Sequence, residues 1–313
     1  MTDSQVKTNS LKAWILAARP KTLSGAAVPV MIGAAAAYTT ARENFQWLPT
    51  LLCFLFAFIM QIDSNFINDY FDCIKGNDDK ETRLGPKRAC SEGWITLHAM
   101  RIGLVITSLL GCLVGLPLVF YGGYNMIIIG ALCVLFAFLY TTKFSYLGLG
   151  DVLVLVFFGI VPVFFTWWVS IPQEMQCFEP FILFLGIACG LVIDTLLVIN
   201  NYRDRDNDKH DGKITLVVRI GEKKSEKLYK YLGATAAILA FNLTLQAPSF
   251  NCTISNIIIL GLLYCIYPFF HESTYATMTR IKHGRELNKV LGLTARNMFI
   301  FGVTTTISIL LFW

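Results

Sequence analysis

Two short strings of asparagine and aspartate carry the clearest chemistry in this sequence. The first is Asn68-Asp69-Tyr70-Phe71-Asp72, and the second is Asn200-Asn201-Tyr202-Arg203-Asp204, which continues to Asp208. On a helix, residues three and four apart share a face. Asn68 and Asp72 therefore fall together, with Asp69 three from Asp72, and Asn200, Asp204 and Asp208 form a similar stripe. Carboxylates grouped this closely repel one another unless a cation lies between them. Mg2+ prefers carboxylate, amide and water oxygen, and is usually held by one or two carboxylates plus substrate phosphates. Two facing clusters are thus expected to hold one or two Mg2+ ions and, through them, a diphosphate. Arg83, Lys87, Arg88, Lys209 and Lys213 lie nearby in sequence and supply cations for the remaining phosphate charge. A single cluster could be a solvated helix cap. Two like clusters on one side, each closing a long apolar stretch, argue against that.

The elements that must position these clusters cross a membrane. Of the 313 residues, 55% are hydrophobic and 15% charged, against roughly 25% charged in soluble domains. Uninterrupted apolar blocks such as Leu51–Ile62, Met126–Tyr140 and Val152–Val169 need helices, because lipid offers no partner for open backbone groups. The pattern predicts an all-α protein of nine spans, at 22–40, 47–67, 97–120, 124–142, 150–170, 178–202, 228–248, 254–273 and 291–313. With this division, all but one of the 26 Lys and Arg residues fall on one side, Arg42 being the exception. Short cytoplasmic loops collect Lys and Arg, so the N-terminus and both acidic clusters are expected in the cytoplasm and Trp313 outside. The +5 net charge follows that segregation, which argues against nucleic acid as a partner. The polar opening Met1–Leu11 does not read as a removable signal peptide. Nine cysteines occur without a C-x-x-C pair, so neither zinc nor a disulfide framework is indicated. The chain reads as one domain, 1–313, with a polar tail at 1–11 and cytoplasmic active-site loops at 68–96 and 201–227. The two loops open similarly, which suggests a weak internal repeat.

Two acidic residues lie within spans. Asp63 is near the interface, whereas Asp194 is nearly three turns before Asp204 and is read equally as a structural hydrogen-bond partner or a functional group. Phe54, Phe56, Phe58, Phe157, Phe158 and Phe164 are candidates to line an apolar cavity, and Tyr140 and Lys143 are placed to reach the same pocket. The four histidines lack metal-ligand spacing and receive no role.

The strings NDYFDCIKGND and NNYRDRDNDKHDGKITLVVRIG resemble the two signature motifs of the UbiA superfamily of intramembrane aromatic prenyltransferases. Arg19-Pro20-Lys21-Thr22-Leu23, Arg83-Leu84-Gly85-Pro86 and Tyr146-Leu147-Gly148-Leu149-Gly150-Asp151, with Val154 to Gly159 beyond it, are similar to the branch that acts on 1,4-dihydroxy-2-naphthoate. The resemblance runs from about residue 12 to the end. The broader superfamily has an aspartate four residues after Asp72; here Gly76 stands there and the aspartate comes at Asp78, as in the naphthoate branch.

The resemblance implies nine helices around a central cavity open to the cytoplasmic side and to lipid, in a bacterial-type cytoplasmic membrane. It implies an Mg2+-dependent transfer of a polyprenyl group from polyprenyl diphosphate to 1,4-dihydroxy-2-naphthoate, with loss of diphosphate and CO2, in menaquinone biosynthesis. Asn68, Asp69, Asp72, Asp78, Asn201, Asp204 and Asp208 would form the metal–diphosphate site, and Arg83, Lys209 and Lys213 would contact phosphate. Asp72, Asp204 and Tyr140 are the expected catalytic residues, Tyr140 by cation–π stabilisation of an allylic cation. Lys21, Arg19 and Lys143 are the candidates for the acceptor carboxylate. The main rival is a relative acting on hydroxybenzoate, homogentisate or haem. A transporter is disfavoured because the acidic clusters lie at helix ends rather than at mid-membrane.

Overall fold

The computed structural model describes residues 6–76 and 83–313, and among these there are helices and turns but no strand. Helix α1 (Leu11–Ala18) opens on Ser10, whose Oγ accepts from the Ala13 amide at 3.3 Å. It stops at Arg19, a left-handed residue with φ 49°, and Pro20 then starts a separate 3-10 turn because it cannot continue the ladder. The long helices follow: α2 (Leu23–Ala41), α3 (Trp47–Lys75), α4 (Leu97–Gly122), α5 (Asn125–Phe144), α6 (Gly150–Ser170) and α7 (Pro180–His210). After a short α8 (Leu216–Ile220) come α9 (Glu222–Leu245), α10 (Ile254–Ile281) and α11 (Leu287–Phe312). Among the described residues, nine helices are long and apolar enough to cross a membrane, with α1 and α2 joined in the first span. The chain is an integral, multi-pass membrane protein.

The expected spans all exist, but several ends move. Helix α3 runs on to Lys75 and α7 to His210, each eight residues past its expected end, so both acidic motifs lie on helix rather than in loops. Helix α10 similarly extends to Ile281. Hydropathy marks where the chain leaves lipid, whereas the backbone ladder closes regardless of side-chain polarity.

The main core joins α2, α6, α7, α9, α10 and α11. A smaller core joins α1, α3 and α4 with residues of the 89–95 turn. Helices α6 and α7 meet without intervening side chains: a Cβ built on Gly159 would lie 2.4 Å from Gly190 Cα and 2.6 Å from the Gly186 carbonyl. Small residues that let backbones touch are the usual device for joining helices in lipid. By contrast, α4 and α5 bury few of their apolar residues against the rest of the protein.

Candidate active site

The end of α3 presents its polar residues in three directions. Asp69 is buried and accepts backbone N–H bonds from Ala89 at 3.0 Å and Cys90 at 2.8 Å, with Arg19 at 3.6 Å. It anchors the turn that follows the first motif and does not line the pocket described below. Asp72 faces Arg88 at 3.1 Å, and Asn68 Oδ1 accepts from the Thr141 hydroxyl of α5. Further up, Asp63 accepts from Thr107 and Ser108 of α4, a helix–helix contact within the span.

The end of α7 is organised by a buried arginine. Arg203 holds both oxygens of Asp204, at 2.8 and 2.5 Å, and also donates to Asn200 Oδ1 and Asn288 Oδ1, both at 2.9 Å. Asp208 receives Lys213 at 3.3 Å, while its second oxygen is buried without a hydrogen-bond partner. The charges of Asp204 and Asp72 also bear on Asp208, so the two motifs are electrostatic neighbours.

The first motif's loop crosses to this second cluster. Asn288 of α11 donates to the Leu84 carbonyl at 2.8 Å and Arg285 donates to the Arg83 carbonyl at 3.3 Å. Gly85 lies on the Arg203 guanidinium, where an added Cβ would come within 2.8 Å of Nη2. Burial first, and the neighbouring Arg88 second, lower the Arg83 pKa to about 9, against the opposing pull of Asp204 and Asp72. A cation in that company is well placed to receive an anion. The 146–149 turn is tied to the second loop by Ile214 N–H to Tyr146 O at 3.2 Å and by Arg219 to Leu147 O at 2.7 Å.

The clusters meet at a polar pocket of about 90 Å³ lined by Asn68, Asp72, Arg88, Thr141, Ser145, Asp151, Asn200, Asn201, Lys213 and Thr215. Next to it is a larger apolar cavity of about 460 Å³, walled by α2 to α6, with Phe56, Met60, Gly111, Gly130, Phe136, Phe157 and Phe158 in its lining. Asn68 and Tyr140 line both spaces. Two wide π-helical turns, Tyr140–Phe144 in α5 and Leu155–Ile160 in α6, flank this junction. Such turns are rare and concentrate at functional sites.

The structure thus brings together Asn68, Asp72, Asn201, Lys213 and Tyr140, with Asp208, Asp204 and Arg83 at the margin. Lys21, Lys143 and Lys209 are exposed and do not line the pocket. Arg19 is half-buried, and its Nη2 lies 3.6 Å from Asp69 Oδ2. Asp78 lies outside the described residues. Of the candidate phenylalanines, Phe56, Phe157 and Phe158 line the cavity, whereas Phe54, Phe58 and Phe164 do not. Thr141, Ser145, Asp151 and Thr215 are pocket residues to which no site role was assigned from sequence. Only the Gly148-Leu149-Gly150-Asp151 pattern hinted at one of them. The donor set of amide and carboxylate oxygens suits a hard cation, and the unpartnered Asp208 oxygen leaves a coordination position open. No three His, Cys, Asp or Glu side chains converge among the described residues. Such a site would therefore rely on phosphate oxygens for the rest of the cation's shell.

A protein from Escherichia coli called 1,4-dihydroxy-2-naphthoate octaprenyltransferase is 37% identical over 254 residues, covering 78% of this chain and 80% of its own. A Mycobacterium tuberculosis protein of the same name is 35% identical, covering 76% of this chain and 80% of its own. Among solved structures, a UbiA homolog from Aeropyrum pernix superimposes with a TM-score of 0.66 at 15% identity, covering 88% of this chain and 95% of its own. One from Archaeoglobus fulgidus, bound to DMAPP and Mg2+, gives 0.62 at 12% identity, covering 94% and 98%. Residues 26–309 match the UbiA prenyltransferase family profile, and these two acidic helix ends lie within that stretch: the chain belongs to the UbiA prenyltransferase family.

Proposed function

We propose that this protein transfers a polyprenyl group from polyprenyl diphosphate to 1,4-dihydroxy-2-naphthoate, releasing diphosphate and CO2, as a step of menaquinone biosynthesis. The observation that carries the reading is that the polar pocket and the apolar cavity share Asn68 and Tyr140. A substrate with a charged head and a long apolar tail fits that junction, head among the motif residues and tail along α4 and α5. The names of the relatives support the acceptor, and the prenyl diphosphate and Mg2+ bound in structural neighbours support the donor and the metal.

Asn68, Asp72, Asn201, Asp204 and Asp208 would hold Mg2+, which supplies positive charge to the departing diphosphate. For Asp204, this role requires its exchange from Arg203. Lys213, Arg88 and Arg83 add fixed cations where the negative charge grows. The Tyr140 ring, at the junction of the two spaces, would stabilise the positive charge that develops on the allylic carbon. The cavity wall keeps water from that carbon, favouring ring attack over hydrolysis. Of the candidates for the acceptor carboxylate, Arg19 is the half-buried one, its Nη2 lying 3.6 Å from Asp69 Oδ2. The whole chain acts as one domain, with the motif end facing the cytoplasm of a bacterial-type cell, as the distribution of Lys and Arg favours.

The test is to supply membranes containing the protein with labelled prenyl diphosphate and a panel of aromatic acids, with and without Mg2+. Prenylated product from dihydroxynaphthoate, formed only with Mg2+, is expected. Product from hydroxybenzoate or homogentisate alone would move the protein to another branch, and no product from any acceptor would end the reading.

A further inference from the structure

Two buried aspartates outside the acidic motifs share one corner of the site. Asp151, in the first turn of α6, lines the polar pocket and is 8% exposed. Asp194, mid-way along α7, is 5% exposed. Each has an Oδ1 buried without a hydrogen-bond partner, and the two lie close enough for their charges to repel. The Tyr140 hydroxyl lies beside the start of α6, 3.8 Å from a Cβ built on Gly150. The nearby cations are engaged elsewhere, Lys213 with Asp208 and Arg88 with Asp72. A buried carboxylate left unpartnered is costly and calls for a proton or a hydrogen-bond donor. Asp151 lines the polar pocket, from which a bound molecule can supply such a donor. Leu153, two residues on, and Phe157 and Phe158, nearly two turns on, line the apolar cavity. An aromatic ring at the Tyr140 junction would therefore present its edge to Asp151.

We propose that Asp151 is a catalytic residue that receives the proton of the acceptor's ring hydroxyl. This inference rests on the proposed function. As the ring carbon attacks the allylic carbon, the new C–C bond forms and the C–O bond to diphosphate breaks. The hydroxyl proton passes to Asp151, leaving a ring ketone at that oxygen. Loss of CO2 from the alkylated carbon returns its bonding pair to the ring, and the oxygen takes back the proton from Asp151. No net proton is consumed.

The test pairs the enzyme with its substrate group, in full-length protein purified in detergent. Asp151→Asn should lower kcat by about 100-fold with dihydroxynaphthoate, while KM for prenyl diphosphate stays within about threefold. The wild-type enzyme should lose a similar factor when that hydroxyl is replaced by a methyl ether, and Asp151→Asn should lose nothing further with the ether. Formate should restore Asp151→Ala by at least about tenfold. Should the alanine variant fail to fold, the isosteric asparagine variant and the ether comparison decide alone. A variant that keeps its rate, or that loses the same factor with hydroxyl and ether, overturns the role of Asp151. Wild-type turnover is read first: if it is present, such a result removes this inference and leaves the proposed function standing. If wild-type enzyme prenylates no aromatic acid, the proposed function fails and this inference falls with it.

Discussion

Asn288 joins Leu84 to Arg203: its amide nitrogen donates to the Leu84 carbonyl at 2.8 Å and its oxygen accepts from Arg203 Nη1 at 2.9 Å. One side chain of the last helix thus fastens the first motif's loop and the second motif's arginine together. Replacing Asn288 by Ala removes an acceptor from a buried guanidinium and releases the loop. A hydrogen bond to a charged group is worth about 1.5–3 kcal/mol, so kcat/KM for prenyl diphosphate should fall by roughly tenfold to 100-fold. Steady-state kinetics on the purified variant would show this, and an unchanged kcat/KM would mean that the loop is fastened by other contacts.

The aspartates of the motifs should separate by function when replaced one at a time. Asp72→Ala and Asp208→Ala should each reduce turnover by about 100-fold or more, as loss of a charge-stabilising group does, with the protein still inserted. Asp69→Ala should behave differently, because Asp69 accepts from Ala89 and Cys90 rather than lining the pocket. Its melting temperature should drop, and the Mg2+ concentration for half-maximal activity should hold. A wild-type melting curve combined with an altered Mg2+ requirement would make Asp69 a ligand instead.

Cysteine chemistry tests the orientation. Cys177 and Cys252 are exposed in the α6–α7 and α9–α10 connections, on the opposite side from the motifs under the proposed arrangement. A membrane-impermeant maleimide added to intact cells should label both. Cys90 should resist, since burial first and Asp69 second raise its thiol pKa, leaving it protonated and unreactive at pH 8. Raising the pH of inside-out vesicles toward 9 should still leave Cys90 slow. Labelling of Cys177 and Cys252 only from the cytoplasmic face would invert the topology.

The glycine contact between α6 and α7 predicts a stability effect. Gly159→Val would drive a side chain into the Gly190 backbone, and overpacking of this kind typically costs about 1–3 kcal/mol. Thermal unfolding in detergent should begin several degrees lower. Gly130→Leu is the contrasting case: Gly130 lines the cavity with nothing within 4 Å of an added Cβ. That variant should keep its melting temperature and use geranyl diphosphate better than long polyprenyl diphosphates, as product analysis by mass would show.

The number and order of spans were legible because apolar blocks in lipid have few alternatives to a helix. The meeting of Asn68 and Asp72 with Asn200 and Asn201 was legible from spacing and from the shared side. What spacing could not show was direction within a cluster. Asp69 sits one residue from Asn68, about 100° round the helix, and turns to the 89–90 backbone. Lys209 is one residue past Asp208 and is likewise carried round to solvent. Lys21 and Lys143 are close to the site in sequence, yet their long side chains extend to the surface. Asp151 went unassigned because a single aspartate at the start of a span reads as an ordinary cap until the pocket around it is known.

The wide turn at Leu155–Ile160 adds backbone that a regular ladder does not need. Excising one residue there would let ordinary hydrogen bonds close and should make the protein harder to melt. It would also rotate one half of α6 against the other by about 100°. Asp151 and the Phe157–Phe158 pair would then no longer serve adjoining spaces. Breeding this protein for heat resistance alone would favour that shorter helix, and the sturdier descendants would be inert.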